Sequence, residues 1–172
     1  GDEGGWRFAA DAAIAHRVPA LRSREQVETC GRCHARASLL SQDAPEGQPL
    51  LDTHRVALLD AGLYFADGQI QDEVYVYGSF LQSRMYAAGV TCSDCHEPHG
   101  LALRAEGNAL CTSCHAPERY DVAAHHRHAA GAAGSRCVDC HMPARVYMGV
   151  DVRRDHGFRV PRPDLAAEIG VP

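Results

Sequence analysis

The eight cysteines of this chain fall into four pairs, and a histidine directly follows each pair. The four motifs read CGRCH, CSDCH, CTSCH and CVDCH. Their cysteines are Cys30, Cys33, Cys92, Cys95, Cys111, Cys114, Cys137 and Cys140, and their histidines are His34, His96, His115 and His141. With 11 histidines in 172 residues, four such coincidences have a chance probability on the order of one in 10⁵.

This spacing suits the covalent attachment of haem c. Two thiols separated by two residues on a short helical turn match the two vinyl groups on one edge of a porphyrin. The histidine that follows then points back at the iron and becomes its proximal ligand. We therefore predict four haem c groups, one on each motif.

Two other uses of paired cysteines compete with haem attachment. The two middle pairs also have the spacing of a zinc ribbon, and eight cysteines in a small domain can form disulfides. Neither alternative gives a reason for a histidine after every pair. The sequence therefore favours haem c over zinc and over a disulfide framework.

Seven histidines remain as candidates for the second axial ligand of four irons. We rank five of them as distal ligands, in the order His99, His128, His156, His54 and His125. His16 and His126 are interpreted as ordinary surface residues. Histidine on both faces of the iron predicts low reduction potentials, because methionine ligation raises the potential.

The positions of these histidines carry further expectations. His99 follows His96 too closely to reach the other side of the same iron, so we expect it to bind a neighbouring haem. His125 and His128 are three residues apart in a predicted helix and are expected to share one face. His54 is expected to open a helix, and His156 to lie in an irregular loop.

Composition narrows the function classes. The formal net charge is −5 and all 17 cations are arginines, without a single lysine. This distribution lacks the basic footprint of a nucleic-acid-binding protein. Arginine suits the carboxylates of haem propionates, although a high-GC genome explains the bias equally well. No apolar run approaches the roughly 18 residues of a membrane span, so we expect no membrane insertion.

The element pattern predicts a mostly α and irregular fold. Predicted helices cover residues 5–18, 23–38, 79–88, 106–115, 118–130 and 135–141, with a loop over 41–51, a hairpin around Asp67-Gly68 and an extended tail from Asp155. We predict one tetrahaem cytochrome c domain over residues 1–172. It is expected to be a compact multihaem fold with short helices, long loops and at most a small β-hairpin, in which the haems form the core.

The spacing of the motifs predicts how the haems lie along the chain. From first cysteine to first cysteine, the last three motifs follow one another closely, whereas the first motif is distant in sequence. The last three haems are therefore expected to be crowded together. The first haem joins them only if the chain folds back.

Longer segments resemble a known family. GSFLQSRMYAAGVTCSDCHEPHG, GNALCTSCHAPERYDVAAHHRH and GSRCVDCHMPARVYMGVDVRRDHGFRVPRPDL are similar to multihaem c-type cytochromes that are often fused to tetratricopeptide repeats and are related to four-haem cytochromes of nitrogen metabolism. The resemblance covers about residues 24–165. It implies an irregular haem fold, export to the periplasm or cell exterior, and histidine ligation by His99, His125, His128 and His156, with weaker support for His54.

The chain also departs from that family. Its relatives usually carry further CxxCH motifs on both sides and often repeats, which are missing here. The chain is then either a segment of a longer protein or a short relative that works by assembling. For the second case we expect a homo-oligomer, with a filament of stacked haems as one form.

Two functions from different classes fit the motifs. The favoured prediction is an electron carrier that exchanges electrons with redox protein partners. The alternative is an oxidoreductase acting on nitrite or hydroxylamine at an open haem, for which we single out Arg153, Arg154, Tyr147 and His126. The absence of lysine excludes the CxxCK site of the pentahaem nitrite reductases.

Overall fold

The computed structural model describes residues 4–21, 23–43, 45, 47–98, 100 and 102–172. In this part of the chain, ten short helices alternate with long irregular segments. The helices are α1 Glu25–His34, α2 Leu50–Thr53, α3 Tyr77–Leu81, α4 Arg84–Ala87, α5 Cys92–Cys95, α6 Ala109–Thr112, α7 Pro117–Tyr120, α8 Ala123–His126, α9 Cys137–His141 and α10 Pro163–Ile169. The prediction of an irregular fold with short helices is confirmed.

Three separate antiparallel strand pairs occur among the described residues, so the prediction of at most one small hairpin is wrong. The pairs are β1 Gly5–Arg7 with β2 His16–Val18, β3 Ala37–Leu39 with β4 His54–Val56, and β5 Ala144–Tyr147 with β6 Asp151–Arg154. In the last pair Val146 lies opposite Val152, and such β-branched residues favour strands. Each pair is too short to make a sheet face of its own.

The predicted helix over residues 5–18 is also wrong. This segment forms β1 and β2, and Asp11 adopts a left-handed conformation with φ 60° in the connection. Ile14 forms a β-bridge with His115. Because these long-range contacts decide the local structure, the high helix propensity of the alanines is overridden.

The helix predicted over residues 23–38 is shorter than expected. α1 has acidic residues in its first turn and Arg32 and His34 in its last, which suits the helix dipole. It ends because Ala35 is extended and forms a bridge with Tyr75. His54 begins strand β4 rather than a helix, which corrects the sequence expectation, since α2 ends at Thr53.

The loop around Asp67-Gly68 is a tight turn without flanking strands. Phe65 N donates to Gln69 O at 2.8 Å, and Tyr64 bridges Ile70. Only this local turn of the predicted hairpin is present in the structure. The predicted extended tail is corrected as well, because residues 163–169 form α10.

The helix predicted over residues 79–88 is divided into α3 and α4. Ser83 caps α4, where its hydroxyl accepts a hydrogen bond from Tyr86 N. A similar division affects residues 118–130, which form α7 and α8. Arg127 ends α8 in a left-handed conformation with φ 65°. His128 therefore lies beyond the helix, and the expectation that His125 and His128 share one helical face is wrong.

Two small clusters of buried apolar side chains form the protein core. The first contains Val27, Ala35, Leu50, Tyr77 and Phe80, and the second contains Tyr64, Ile70, Val74 and Tyr147. Many large apolar side chains lie outside them and are exposed, including Leu39, Leu40, Leu51, Leu58, Leu59, Val146 and Val152.

Among the described residues, no helix has the length and apolar character that a membrane crossing requires.

Candidate haem-binding sites

The first motif lies against the second, so the chain folds back in the way that the sequence left as a condition. Gln26 Nε2 donates to Ser93 Oγ at 2.8 Å, and Ser93 N donates to Gln26 Oε1 at 3.0 Å. This reciprocal pair joins α1 to α5. Burial, with a further contribution from the neighbouring Cys30 thiol, raises the pKa of Cys92 to about 12. Thiols of the first two motifs therefore lie side by side.

A capping box holds the second motif at its helix start. Thr91 N and Thr91 Oγ1 donate to Asp94 Oδ2 at 2.7 and 3.0 Å. The other carboxylate oxygen, Oδ1, accepts from Trp6 Nε1 at 3.0 Å and from Arg17 Nη1 at 3.5 Å. Asp94, between the two cysteines of the motif, thus fixes both its own helix and the N-terminal strand pair.

The N-terminal segment also holds the third motif. Ala15 N donates to Cys114 O at 2.8 Å, and Ala116 N donates to Ala13 O at 2.9 Å. Burial, the Asp94 carboxylate and the Cys114 thiol raise the pKa of Cys95 to about 11. The second and third motifs are therefore close neighbours.

One asparagine joins the third motif to the fourth. Asn108, just before α6, donates from Nδ2 to Ser135 O at 3.0 Å and to Asp121 Oδ1 at 2.7 Å. Its Oδ1 accepts from Cys137 N at 2.9 Å. Burial, together with the Cys137 thiol, raises the pKa of Cys111 to about 12. The four motifs thus follow one another in space in the order of the chain.

The cysteine chemistry can be compared with the two competing interpretations. All eight cysteines are free thiols, and none forms a disulfide. Across the described residues, no three His, Cys, Asp or Glu side chains are grouped as a metal ion would require. This includes the four cysteines with zinc-ribbon spacing.

Two of the motif histidines face a second histidine. The ring centres of His141 and His125 are 6.1 Å apart, with planes inclined by 11°. Those of His96 and His156 are 6.2 Å apart, with planes inclined by 25°. Two imidazoles that bind one iron from opposite sides have ring centres roughly 6 Å apart, because each metal–nitrogen bond is about 2 Å and each ring centre lies about 1 Å beyond the nitrogen.

Backbone carbonyls orient two of these four imidazoles. His141 Nδ1 lies 2.7 Å from Arg159 O, and His156 Nδ1 lies 2.9 Å from Arg154 O. Because a carbonyl only accepts, Nδ1 carries the proton in both rings. Nε2 then keeps its lone pair for a metal, which is the usual arrangement of a ligating histidine.

Burial favours the same protonation state. It lowers the pKa of His156 and of His115, so both imidazoles stay neutral down to a lower pH than an exposed histidine does. Neutral imidazole is the form that binds a metal. Donor type and ring separation together fit haem iron between His96 and His156 and between His125 and His141.

His54 and His128, two further proposed distal ligands, make other contacts. The His54 ring nitrogen Nδ1 is 2.8 Å from Thr53 Oγ1, at the start of β4 opposite Leu39. His128 packs against Gly134, where an added Cβ would lie 2.7 Å from its Nε2. His99 lies outside the described residues.

His16 and His126, which the sequence indicated as surface residues, lie in different elements. His16 is exposed in β2. His126 lies near His128, with ring centres 6.4 Å apart.

The residues named for an enzymatic site are engaged in structural contacts. Arg154 donates to the carbonyls of Val138 and Met142 at 3.0 and 2.9 Å. Arg153 pairs with Asp151 and Glu73, and Tyr147 is buried in the second core cluster.

Three residues that contact the motifs are absent from the predicted site residues: Asp94, Asn108 and Tyr120. Asp94 could have been found, because Thr91 and Asp94 have the sequence spacing of a capping box. Asn108 and Tyr120 have no such signal. Tyr120 contacts His115 and His125 edge-on, with ring centres 5.6 and 5.4 Å apart.

The comparisons with known proteins agree with the motif chemistry. A family model described as a doubled CXXCH motif matches residues 85–120, which contain the second and third motifs. A search of curated proteins finds no match to the chain, and neither does a search of solved structures. The family match, with the geometry above, supports a c-type cytochrome-like family and indicates haem c binding and electron transfer for this chain.

Proposed function

We propose that this chain is an electron-transfer protein that carries four haem c groups with mainly bis-histidine ligation. The observation that carries the proposal is the presence of two histidine couples, His141 with His125 and His96 with His156. Each couple places a motif histidine and a histidine from elsewhere in the chain at the separation that one iron requires. Haem supplies the one-electron chemistry when bound. The chain supplies the thioether anchors, the axial imidazoles and the spacing between sites.

The two histidine pairs support a proposal for two distal ligands. His125 serves the fourth motif opposite His141, and His156 serves the second motif opposite His96. For the first and third motifs we propose distal ligands from the remaining candidates His54, His99 and His128. All axial positions are then occupied by nitrogen, which leaves no open face for a substrate.

The order of the motifs defines a route for electrons. Hydrogen bonds join the first motif to the second and Asn108, just before the third motif, to the fourth, and the N-terminal segment binds both the second and the third. Cys33 and Cys140, at the two ends of that row, are the exposed cysteines, and the other six are half-buried. We propose that electrons enter and leave at the first and fourth motifs.

Partners and localisation follow from this function. The proposed partners are redox proteins that meet the exposed end motifs, and further copies of the chain in an oligomer or filament. Covalent haem attachment takes place outside the cytoplasm, so we propose the periplasm or the cell exterior as the location. Nucleic acid and membrane insertion have no part in this proposal.

The decisive experiment counts haems and determines their spin state. The chain is produced with a haem c maturation system, and intact mass and the pyridine haemochrome assay give the number of haems per chain. Electron paramagnetic resonance of the oxidised protein then gives the ligation. We expect four haems and only low-spin signals.

Other outcomes separate the alternatives. Colourless protein with stoichiometric zinc contradicts the whole proposal. A high-spin ferric signal together with turnover of nitrite or hydroxylamine contradicts the carrier and supports the oxidoreductase. In four further variants, both cysteines of one motif are replaced by alanine. Each variant should carry one haem fewer than the wild type, which checks that every motif binds one haem.

A further inference from the structure

Tyr120 stands between axial histidines of two different motifs. It is the last residue of α7, which begins two residues after His115. Its ring centre lies 5.6 Å from that of His115 and 5.4 Å from that of His125, and both ring pairs are inclined by 88°. His125 in turn faces His141 across 6.1 Å. Four rings therefore form a continuous row from the third motif to the fourth.

The backbone around Tyr120 is firmly held. Tyr120 N donates to Ala116 O at 3.1 Å, and Ala116 is buried directly after the third motif. The next residue, Asp121, accepts from Asn108 Nδ2 at 2.7 Å. Asn108 also binds the start of the fourth motif through Cys137 N. Tyr120 is thus fixed to the same frame that joins the two motifs.

Edge-to-face contact restricts the rotation of an imidazole about its bond to the metal. An aromatic ring favours this perpendicular geometry over other orientations. The angle of the imidazole plane affects the electronic state of the metal that it binds, as other surroundings of axial ligands do. Tyr120 contacts His115 of the third motif and His125, which faces His141 of the fourth. A single side chain can therefore affect the imidazole orientation at both sites.

We propose that Tyr120 is a positioning residue that sets the imidazole planes of His115 and His125, and thereby tunes the third and fourth haems together. The inference rests on the proposed four-haem function. It assigns the effect to the aromatic ring rather than to the hydroxyl, because the ring makes both contacts. The first and second haems are outside its reach.

The test compares Tyr120→Phe with Tyr120→Leu in the full chain loaded with haem. Phenylalanine keeps both edge contacts, whereas leucine keeps apolar volume and loses the ring. Low-temperature electron paramagnetic resonance and a potentiometric titration are recorded for each variant after the haem count. His125→Met identifies the signal of the fourth haem, since it changes one axial ligand there.

We expect Tyr120→Leu to shift the signals and midpoint potentials of two haems, one of them the fourth, and to leave the other two unchanged. Tyr120→Phe should restore the wild-type spectrum. Tyr75→Leu is the matched control, because Tyr75 packs against Arg153 instead of an axial histidine. It should leave the signals of the third and fourth haems in place.

Several outcomes would overturn the inference. It fails if Tyr120→Leu leaves all four signals unchanged, if all four move together, or if Tyr120→Phe shifts them as far as leucine does. Where Tyr120→Leu is not recovered with a full haem count, Tyr120→Met, with a flexible apolar side chain, is judged by the same criteria. Failure of the proposed function looks different, because the wild-type chain itself then lacks haem or shows high-spin iron.

Discussion

Trp6 Nε1 donates a hydrogen bond to Asp94 Oδ1 at 3.0 Å across 88 positions of the chain. This contact joins the N-terminal strand pair to the helix of the second CxxCH motif. Asp94 also accepts both hydrogen bonds of Thr91, so one carboxylate serves helix capping and tertiary structure together. The small helices of this fold depend on such connections, because short helices are marginal by themselves.

The first prediction concerns Asp94. Asp94→Ala leaves the donors of Trp6 and Thr91 without their acceptor, so we expect the free energy of unfolding to fall by about 3 kcal/mol. Chemical denaturation followed by circular dichroism measures the change. Asp52→Ala removes a carboxylate from an exposed position in α2 and serves as control. Equal midpoints for the two variants would contradict the role of Asp94.

A glycine inside the first motif is expected to be intolerant of substitution. A Cβ at Gly31 would lie 2.7 Å from Tyr77 Cε2 and 2.8 Å from Leu50 Cδ2. Leu50 is fully buried and has little room to move. We therefore expect Gly31→Ala to destabilise the protein by about 1–3 kcal/mol.

The matched control for Gly31 is Gly5. A Cβ at Gly5 meets nothing within 4 Å. Gly5→Ala should therefore leave the unfolding midpoint near that of the wild type. Thermal unfolding of both variants checks the prediction, and the idea is wrong if the two midpoints shift equally.

Gly78 and Tyr64 should show coupled effects. Gly78 lies within α3, where alanine is intrinsically better than glycine by about 1 kcal/mol. However, a Cβ there would overlap the buried Tyr64 hydroxyl, so we expect Gly78→Ala to destabilise the wild type. In the Tyr64→Phe background the hydroxyl is gone and the ring atom Cζ lies 3.4 Å from the added Cβ, so the same substitution should stabilise the protein.

A double-mutant cycle measures this coupling. The free energies of unfolding of the wild type, both single variants and the double variant are compared under one condition. A change of sign supports the contact between the two residues. Additive effects would show that the two positions are independent.

Tyr64 also predicts an alkaline dependence of stability. Burial, with a contribution from Asp155, raises its pKa from 10.0 to about 12. Between these values the unfolded chain loses the phenolic proton while the folded protein keeps it. Stability contributed by the neutral phenol is therefore complete below pH 10.0 and is lost as the pH rises towards 12.

The comparison of wild type with Tyr64→Phe isolates this effect. We expect the wild type to lose about 2 kcal/mol more than the variant over this alkaline range. Denaturation at both ends of the range gives the difference. Parallel curves for the two proteins would contradict the elevated pKa.

The sequence predicted the chemistry better than it predicted the pairings. Cysteine and histidine positions in the four motifs are fixed by local spacing, so haem attachment is readable without a structure. The sequence alone does not predict that His125 faces His141. His125 lies in a separate short helix, whose end depends on the left-handed conformation of Arg127. Similar local patterns around His128 therefore gave the wrong expectation of a shared face.

The N-terminal segment shows why secondary structure was harder to predict. Its alanines favour a helix, yet Trp6, Ile14 and Arg17 are all engaged by residues of the second and third motifs. A chain with so few buried apolar side chains is shaped by such long-range contacts. Local propensity has no access to them.

The last prediction tests the assignment of His125 as the distal ligand of the fourth motif. His125→Met replaces one axial nitrogen by a thioether, which raises the reduction potential of the haem that it binds. We expect one of four midpoint potentials to rise by something on the order of 0.1 V, within the roughly 0.8 V range that axial ligands span. The other potentials should stay in place.

His126→Met is the matched control, because it makes the same chemical change one residue further along α8. His126 lies near His128 rather than a motif histidine. Its substitution should therefore leave all four potentials unchanged, and the charge-transfer band of histidine–methionine ligation should appear for His125→Met alone. If the band appears for His126→Met instead, the couple of His125 and His141 is not the axial pair, since the ligand would then come from the other side of the helix.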